Sequence, residues 1–325
     1  MKTFQLTPDE IELLPSDEDI ESYRQMGWYI SKQLFSDDEI AQLQAASEAF
    51  YAGKRDRRLP LKPKRVAYWE PEHGDVFRIN DYIIYESEVI ERILTKPLIG
   101  AVAALLSGHD VRVFNTSLMF KPPKLGDGKS TVGWHTDRAY WRTCTSDNML
   151  TAWVPLHDTD ESIGTIRMVD GSHRWADKNA HDADTALHFI RSDLGQLEAQ
   201  VQESARTRDE RRRSILLKKG QVSFHHCLTY HGSGDNVSDR PRWALSLHIQ
   251  DVANRYRKFP FANGTLATYN SDELCRKDAQ GNPDYTDPVI FPPLWIGGDP
   301  RRKPTPLAHA CMSADGETTL GASHA

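Results

Sequence analysis

The sequence contains two His-x-Asp pairs, at 73–75 and at 135–137. On a β-strand, residues two apart point to the same face, so both side chains of such a pair can bind one metal ion. A chain with 13 histidines would contain about one such pair by chance, so the surrounding residues must decide. The first pair follows Pro71 and contains Gly74, which indicates a turn, whereas the second lies beside predicted strands. His135 and Asp137 are therefore the predicted metal ligands.

A third metal ligand is predicted at His231, within Leu228–Gly234. This histidine closes an apolar strand at a glycine-rich turn, as expected for a ligand at a sheet edge that faces a cavity. Two imidazoles and one carboxylate leave half of an octahedral coordination sphere open, which suits iron(II) that must also bind a co-substrate and O₂. Zinc would favour a closed or nearly closed tetrahedral site.

The next strand carries an arginine where a core residue is expected. Alternation along residues 242–249 puts Arg242 on the smaller, more polar face of the strand, together with Ser246 and His248. A buried guanidinium must be paired, and its planar fork fits a carboxylate through two hydrogen bonds. The partner is either an acidic residue of the protein or one end of a bound dicarboxylate such as 2-oxoglutarate, whose other end would chelate the metal.

The elements that must position these residues are mainly strands. From residue 111 onwards, short apolar or alternating runs are separated by Gly, Asp, Asn and Pro, as in an antiparallel sandwich or barrel. The runs are Val111–Lys121, Met149–His157, Gly164–Val169, Gly220–Tyr230 and Trp243–Asp251. The first third of the chain is helical instead, with predicted N-caps at Ser16 and Ser36, a C-cap at Gly27 and a short strand at Trp28–Ile30.

These patterns predict one domain at 1–257 and a C-terminal extension at 258–325. The domain consists of a helical N-terminal part at 1–110 and a β core at 111–257, which a helical insertion at about 177–213 interrupts. The extension is rich in Pro, Gly and Asp, so we expect it to cover the surface and its last residues to be disordered.

Composition argues against several classes of protein. The net charge of −6 is unlike that of a nucleic-acid-binding protein, which usually carries a basic face. The chain lacks the stretch of about 20 apolar residues that a membrane span needs, and its four cysteines form no CxxC pair for a thiolate zinc site. The acidic N-terminus does not resemble a signal peptide, and we expect a reducing, cytoplasmic setting.

Several motifs occur in an order that resembles a known family. The motifs are Phe120–Pro123, Trp134–Asp137, Thr151–Trp153, Asp170–His173, His231–Asn236 and Arg242. Together they resemble the phytanoyl-CoA dioxygenase (PhyH) superfamily of iron(II)- and 2-oxoglutarate-dependent oxygenases, over roughly Tyr23–Asp251. The resemblance implies a mainly β fold with flanking helices around a double-stranded β-helix of the jelly-roll, cupin-like type. The family's Pro-Gly-Ser-His segment loses its proline here, and its Asn-Gly-Cys segment reads Ile163–Thr165.

The resemblance also implies roles for particular residues. Three residues would bind iron(II): His135, Asp137 and His231. Three others would contact 2-oxoglutarate: Arg242, which would bind its far carboxylate, Ser233 and Trp153. Halogenating relatives replace the carboxylate ligand with a small residue, so the aspartate argues against halogenation. The expected reaction is hydroxylation of an unactivated C–H bond with O₂, giving succinate and CO₂ as co-products.

The substrate is expected to be a small-molecule metabolite, as in secondary metabolite biosynthesis, because the sequence offers only a faint basic patch for an acyl-CoA. Candidate substrate contacts, for which a core or surface role is the alternative, are Arg138, Tyr140, Trp141, Arg78 and Tyr82. We expect His157 and His248 in the core rather than at a cavity. His225 and His226 are adjacent and must point to opposite faces of a strand.

Other functions remain open at this point. A non-oxidative metal enzyme of the cupin type, an isomerase or a lyase, would use Arg242 for its substrate and would leave 2-oxoglutarate intact. A non-catalytic binding domain would have lost at least one ligand, and this sequence retains all three. Within the oxygenases, desaturation, cyclisation or epimerisation would share the first half-reaction with hydroxylation.

Overall fold

The computed structural model describes residues 4–63, 69–175, 198–199, 201–203, 206, 210–261 and 263–302. The helices with described bounds are α1 Pro8–Glu12, α2 Asp17–Met26, α3 Asp37–Tyr51, α4 Glu88–Leu94, α5 Pro97–Ser107 and α6 Ser271–Leu274. The strands are β1 Trp28–Ile30, β2 Arg78–Asp81, β3 Val111–Lys121, β4 Val132–His135, β5 Leu150–Pro155, β6 Ile166–Val169, β7 Arg212–Ser214, β8 Ser223–His226, β9 His231–Ser233, β10 Arg242–Asp251 and β11 Pro293–Trp295. Within this part of the chain, no helix combines the length and apolar character that a membrane crossing requires.

Local sequence explains where the N-terminal helices begin and end. The side chains of Ser16 and Ser36 accept hydrogen bonds from the backbone of the third helical residue, and Asp19 and Glu39 complete the two capping boxes. Gly27 ends α2 with a φ of 81°, in the left-handed region that glycine adopts without strain. The predicted caps, and the short strand Trp28–Ile30 between the two helices, are therefore found in the structure.

The strands form two antiparallel sheets that together enclose a cavity. The larger sheet has the order β1-β8-β5-β10-β3-β11, and β2 also pairs with β3. The smaller sheet has the order β4-β9-β6-β7. Strands far apart in sequence are neighbours in both sheets, as in a jelly-roll, and this confirms the predicted double-stranded β-helix.

The larger sheet separates the hydrophobic core from the cavity. Along β10, Leu245, Leu247 and Ile249 pack into a core with side chains of α3, α4 and α5, whereas Ser246 and His248 line the cavity. Burial of each such apolar side chain contributes about 1.5–3 kcal/mol. The helices thus stabilise one face of the sheet, and its other face is free to carry polar groups.

The predicted helical insertion at 177–213 lies mostly outside the described residues. Residues 198–199 and 201–203 are helical, but Arg212 and Arg213 belong to β7 at the edge of the smaller sheet. The insertion therefore ends before Arg213, and Arg212 and Arg213 lie in an exposed edge strand rather than in a helix. Arg212 pairs with Glu198, and Arg213 pairs with Asp170.

The C-terminal extension contributes to the core as far as it is described. Strand β11 pairs with β3, and Tyr285 and Phe291 are buried against Phe114 of β3. The sequence predicted a surface position, because the aromatic residues are scattered among Pro, Gly and Asp without a periodic pattern. Their large apolar areas nevertheless drive this segment against the sheet. The expected disordered end falls within 303–325, outside the described residues.

Candidate active site

The three predicted metal ligands meet between the two sheets. His135 ends β4 and His231 begins β9, and the antiparallel register places these two residues opposite each other. Asp137 begins a 3-10 turn directly after β4. One ligand atom from each residue lies within 4.8 Å of the others, and all three residues are buried. Because the three also line the cavity, a metal held by them would have its remaining coordination positions open to that cavity.

Hydrogen bonds determine which nitrogen of each imidazole can bind a metal. Nδ1 of His135 lies 2.8 Å from the carbonyl oxygen of Gly133, and Nδ1 of His231 lies 2.9 Å from that of Thr229. A carbonyl oxygen accepts only from a protonated nitrogen, so Nε2 of each ring keeps its lone pair for the metal. His231 Nε2 lies 3.6 Å from Oδ1 of Asp137.

The larger sheet holds the other oxygen of Asp137. Thr151 of β5 donates to Asp137 Oδ2 at 2.6 Å, and Nε2 of the buried His225 lies 3.4 Å from the same oxygen. The Thr151 hydroxyl also lies 2.8 Å from Nδ1 of His248, from which it accepts because its own proton goes to the carboxylate. These contacts leave Oδ1 for a metal.

Sequence reasoning gave no role to Thr151 or His225, although parity along a strand places both on the cavity face. His248 was expected in the core but lines the cavity. His225 faces the cavity and His226 packs on the other side against His173, as the strand geometry predicts. His157 accepts a hydrogen bond from the backbone of Trp243 at 3.0 Å.

The electrostatics of the donor set suit a divalent cation. Burial lowers the pKa of His135, and burial together with the adjacent His135 lowers that of His231 well below its usual value. Burial alone would raise the pKa of Asp137, but His231 and His225 hold it well below its usual range. At neutral pH the imidazoles are therefore neutral and the carboxylate is ionised, which are the states that metal binding needs.

A second cluster lies where Arg242 begins β10. Arg242 is 1% exposed, donates to the carbonyl oxygen of Gly164 at 2.8 Å, and lies 3.4 Å from the hydroxyl of Ser233. Its guanidinium carbon lies 5.7 Å from the ring centroid of Trp153. The three predicted 2-oxoglutarate contacts are thus brought together in one place.

Among the described residues, Arg242 has no acidic partner of the kind that a structural ion pair would provide. Burial lowers the pKa of Arg242 to about 9, and no carboxylate among the described residues counteracts this. Its Nε is buried and has no hydrogen-bond partner within the same part of the chain. Because an unpaired buried charge is costly, an anion is the expected partner of this guanidinium.

The structure adds a second buried cation, Lys121, which the sequence analysis did not assign. Lys121 ends β3 and is in register with Arg242. Its Nζ donates to the hydroxyl of Ser233 at 2.7 Å and to the carbonyl oxygen of Gly234 at 2.6 Å. Burial, with the charge of Arg242 adding to it, lowers the pKa of Lys121 well below its usual value. The sequence signal that could have indicated this residue is a lysine at the end of an apolar strand.

The cavity between the two clusters has a volume of about 310 Å³. Of the predicted substrate contacts, Tyr140 and Trp141 line it. Arg138 turns away from it, because its guanidinium pairs with Asp147 and donates to backbone carbonyl oxygens of its own turn, including that of Cys144.

Arg78 and Tyr82 lie outside the cavity wall. Alternation along β2 points Ile79 and Asp81 into the cavity, so Arg78 faces the other side, where it pairs with Asp75. The Tyr82 side chain is fully buried beneath the wall, and its hydroxyl lies 3.0 Å from that of Ser271. The charged residue that β2 supplies to the cavity is Asp81, which sequence reasoning missed.

Residues 23–244 match the protein-family model described as Phytanoyl-CoA dioxygenase (PhyH). The matched region is more than half of the chain and contains His135, Asp137, His231 and Arg242. The chain belongs to the phytanoyl-CoA dioxygenase family. The family predicted from the order of the motifs is thereby confirmed.

Two relatives resemble the chain over most of its length. The peroxisomal phytanoyl-CoA dioxygenase of Rattus norvegicus is 27% identical over 308 residues, which cover 91% of this chain and 86% of that protein. The ectoine dioxygenase of Bordetella bronchiseptica is 27% identical over 247 residues, 74% of this chain and 76% of that protein.

A solved structure of similar fold is the epimerase SnoN from nogalamycin biosynthesis, in complex with Fe3+, alpha ketoglutarate and nogalamycin RO. It superposes with a TM-score of 0.60 at 23% identity, over 89% of this chain and all of SnoN. At this level of identity the likeness concerns the fold, and it agrees with the jelly-roll described above.

Proposed function

We propose that this member of the phytanoyl-CoA dioxygenase family is an iron(II)- and 2-oxoglutarate-dependent dioxygenase that hydroxylates an unactivated C–H bond of a small-molecule metabolite. One observation carries the proposal: a three-donor metal site and the buried cation Arg242 open onto the same cavity, and a second buried cation, Lys121, lies in register with Arg242. A metal alone explains the first cluster, and an anion alone explains the second. A dicarboxylate that chelates the metal at one end and meets Arg242 at the other explains both.

The donor set fits iron(II). His135 and His231 offer Nε2 and Asp137 offers Oδ1, the 2-His-1-carboxylate set with open positions that non-haem iron(II) oxygenases use. Bound there with 2-oxoglutarate and O₂, the iron would supply the oxidising chemistry, with succinate and CO₂ as co-products.

The co-substrate end would bind 2-oxoglutarate through charge. Arg242 and Ser233 would donate hydrogen bonds to the far carboxylate, and Lys121 would add a second positive charge. This binding would give the buried guanidinium of Arg242 an anionic partner. Trp153 lines the cavity beside Arg242 and would shield this end from water.

The remaining cavity residues would position the substrate and keep water out. Tyr140 and Trp141 present rings to the cavity directly after the metal motif, so a substrate C–H bond would be held against an apolar surface. The volume of about 310 Å³ is at the lower end of the range of about 300–1,000 Å³ for small-molecule sites. This supports a compact substrate. A secondary-metabolite substrate and the cytoplasmic setting stay predictions.

Epimerisation is the second candidate outcome, because SnoN shares the fold and is an epimerase. Desaturation and cyclisation would use the same metal and co-substrate contacts. The alternative from a different class is a non-oxidative cupin-type isomerase or lyase, in which Arg242 would bind the substrate. That enzyme would bind metal but leave 2-oxoglutarate intact.

Anaerobic titration tests the proposal. Iron(II) added to the protein with 2-oxoglutarate should produce the visible charge-transfer band of the chelate, and admission of O₂ should then release succinate. The variant His135→Ala should give neither signal. Metal binding without the band and without succinate would contradict the proposal and favour the non-oxidative alternative.

A further inference from the structure

The cavity has a second polar region, away from the two buried cations. Asp81 on β2 and Asn115 on β3 both line it. Asn115 lies in line with Thr151 across β10, and Thr151 donates to Asp137. This part of the cavity is therefore at the level of the metal, where a substrate must lie to react.

We name Asp81, Asn115, Ser117, Trp141 and Tyr269 the substrate wall. All five line the cavity, and Tyr269 comes from the segment after residue 263. Within the wall, the hydroxyl of Ser117 donates to Oδ1 of Asp81 at 2.6 Å, in a pair of residues that are in register between β3 and β2. The carboxylate is thus held in a defined position.

Asp81 is the charged group that neither the metal nor the co-substrate uses. Three side chains with a formal charge occur among the described lining residues: Asp137, which is a metal ligand, Arg242, which faces the co-substrate, and Asp81. Its charge acts within the wall, since Asp81 adds to burial in raising the pKa of Tyr269. A substrate in this region lies beside a fixed negative charge.

Asn115 supplies a second hydrogen-bond acceptor. It is 3% exposed, and its Nδ2 donates to the hydroxyl of Tyr269 at 3.0 Å. Its Oδ1 is buried and has no hydrogen-bond partner among the described atoms. Burial of an acceptor without a hydrogen bond is unfavourable, and a ligand that donates to it removes this cost. The rings of Trp141 and Tyr269 add π faces, which attract cations.

We propose that the substrate carries a primary or secondary ammonium group that Asp81 and Asn115 bind, and a compact hydrocarbon body that packs on Trp141 and Tyr269. Its N–H groups would donate to Oδ1 of Asn115 and to the carboxylate of Asp81, whose charge would offset the desolvation of the cation. This inference rests on the proposed function, because it takes the metal site and Arg242 as occupied by iron and the co-substrate.

A matched pair of probes tests the charge preference: 2-phenylethylamine, a cation at neutral pH, and its neutral counterpart 2-phenylethanol. Each is titrated anaerobically into the protein loaded with iron(II) and 2-oxoglutarate, and the change of the charge-transfer band gives its dissociation constant. The amine should bind at least about tenfold tighter than the alcohol, because hydrogen bonds to charged groups contribute about 1.5–3 kcal/mol.

Two variants test whether the substrate wall causes the tighter binding of the amine. Asp81→Asn keeps the shape of the side chain and should abolish the preference, whereas Asp75→Asn, which changes a carboxylate that is 71% exposed, should keep it. Equal binding of the two probes, tighter binding of the alcohol, or no binding of the amine at millimolar concentration overturns the proposal. The wild-type ratio decides even if Asp81→Asn fails to fold. Failure of the proposed function is a separate result, because the band would then be missing before any probe is added.

Discussion

The two ends of the cavity differ in charge and in construction. Arg242 and Lys121 begin and end strands that pair with each other in the larger sheet, and both are buried around Ser233. At the other end Asp81 comes from the short strand β2, and Tyr269 comes from the C-terminal segment. A dicarboxylate at the Asp81 end, or an ammonium ion at the Arg242 end, would meet a like charge, so binding in the exchanged positions is unfavourable. The cavity would thus orient both molecules relative to the metal between them.

The difference in construction suggests a division of tasks. The metal and co-substrate contacts lie in or directly beside the central strands, whose positions are stabilised by ladder hydrogen bonds and by the helical core. The substrate wall adds a peripheral strand and a connecting segment to that framework. Segments of this kind commonly carry specificity on a rigid scaffold. We therefore expect substitutions at the two ends to affect different ligands.

The largest expected effect is at the metal that both ends share. His231→Ala removes one of three ligands and should abolish detectable binding of iron(II) or manganese(II), measured by anaerobic calorimetry. The matched control is His73→Ala in the other His-x-Asp pair, where the histidine lies in an exposed turn. Equal metal affinity of the two variants would show that the metal does not lie between the two ends.

Arg242→Leu should separate the two ends. Loss of one partner of a buried charge pair costs about 2–5 kcal/mol, so the dissociation constant of 2-oxoglutarate should rise at least about 30-fold. Metal affinity without the co-substrate should change little. Arg240→Leu, two residues away, alters an exposed arginine that pairs with Asp160 and is the control. Unchanged 2-oxoglutarate affinity in the Arg242 variant would show that the co-substrate does not bind at the cationic end.

Thr151→Val should have a smaller effect, on the metal alone. Valine keeps the shape of threonine but cannot donate to Asp137 Oδ2, and loss of such a hydrogen bond to a ligand typically costs about tenfold or more in metal affinity. Thr151→Ser, which retains the hydroxyl, should restore most of the affinity. Equal affinity of the valine and serine variants would mean that the hydroxyl does not orient the carboxylate.

The smallest effect concerns acid stability of the segment that supplies Tyr269. The hydroxyl of Thr286 and the guanidinium of Arg276 both donate to Asp284, which lowers its pKa from 3.8 to about 2. A lowered folded-state pKa stabilises the fold above the unfolded value, and this contribution is lost as the pH falls towards 2.

Asp284→Asn should therefore lower the unfolding temperature at pH 7, within about 2 °C because Asp284 lies near the surface. The difference from the wild type should shrink between pH 4 and pH 2, measured by scanning calorimetry. Asp239→Asn, at an exposed position, is the control. A difference that persists at pH 2 would exclude the carboxylate's charge as its cause.

The metal site and the cation Arg242 could largely be predicted from the sequence, because their signals are local. His135 and Asp137 are two residues apart where β4 ends, and Arg242 begins the alternating strand β10. Lys121 was missed because its role depends on the register between β3 and β10, which places it opposite Arg242, 121 residues further along the chain. Local sequence patterns do not reveal a strand pairing over such a distance.

The substrate end could not be predicted in the same way. Arg138 follows the metal motif directly, but the turn directs its side chain to its own backbone and to Asp147. Arg78 was predicted as a substrate contact, but it lies on the face of β2 opposite to the one that supplies Asp81 to the cavity. Adjacency in sequence indicates a neighbourhood, whereas the direction of a side chain depends on strand parity and on segments that meet only in three dimensions.

The central claim is tested most directly by a crystal structure of the protein with 2-oxoglutarate and either iron(II) or redox-inert manganese(II). The crystals are grown without oxygen. We predict one ion bound by Nε2 of His135, Oδ1 of Asp137 and Nε2 of His231, chelated by the near end of the co-substrate. The far carboxylate should lie within hydrogen-bonding distance of Arg242 and Ser233. An imidazole of His231 turned away from the ion, or a co-substrate carboxylate bound elsewhere, would contradict the account.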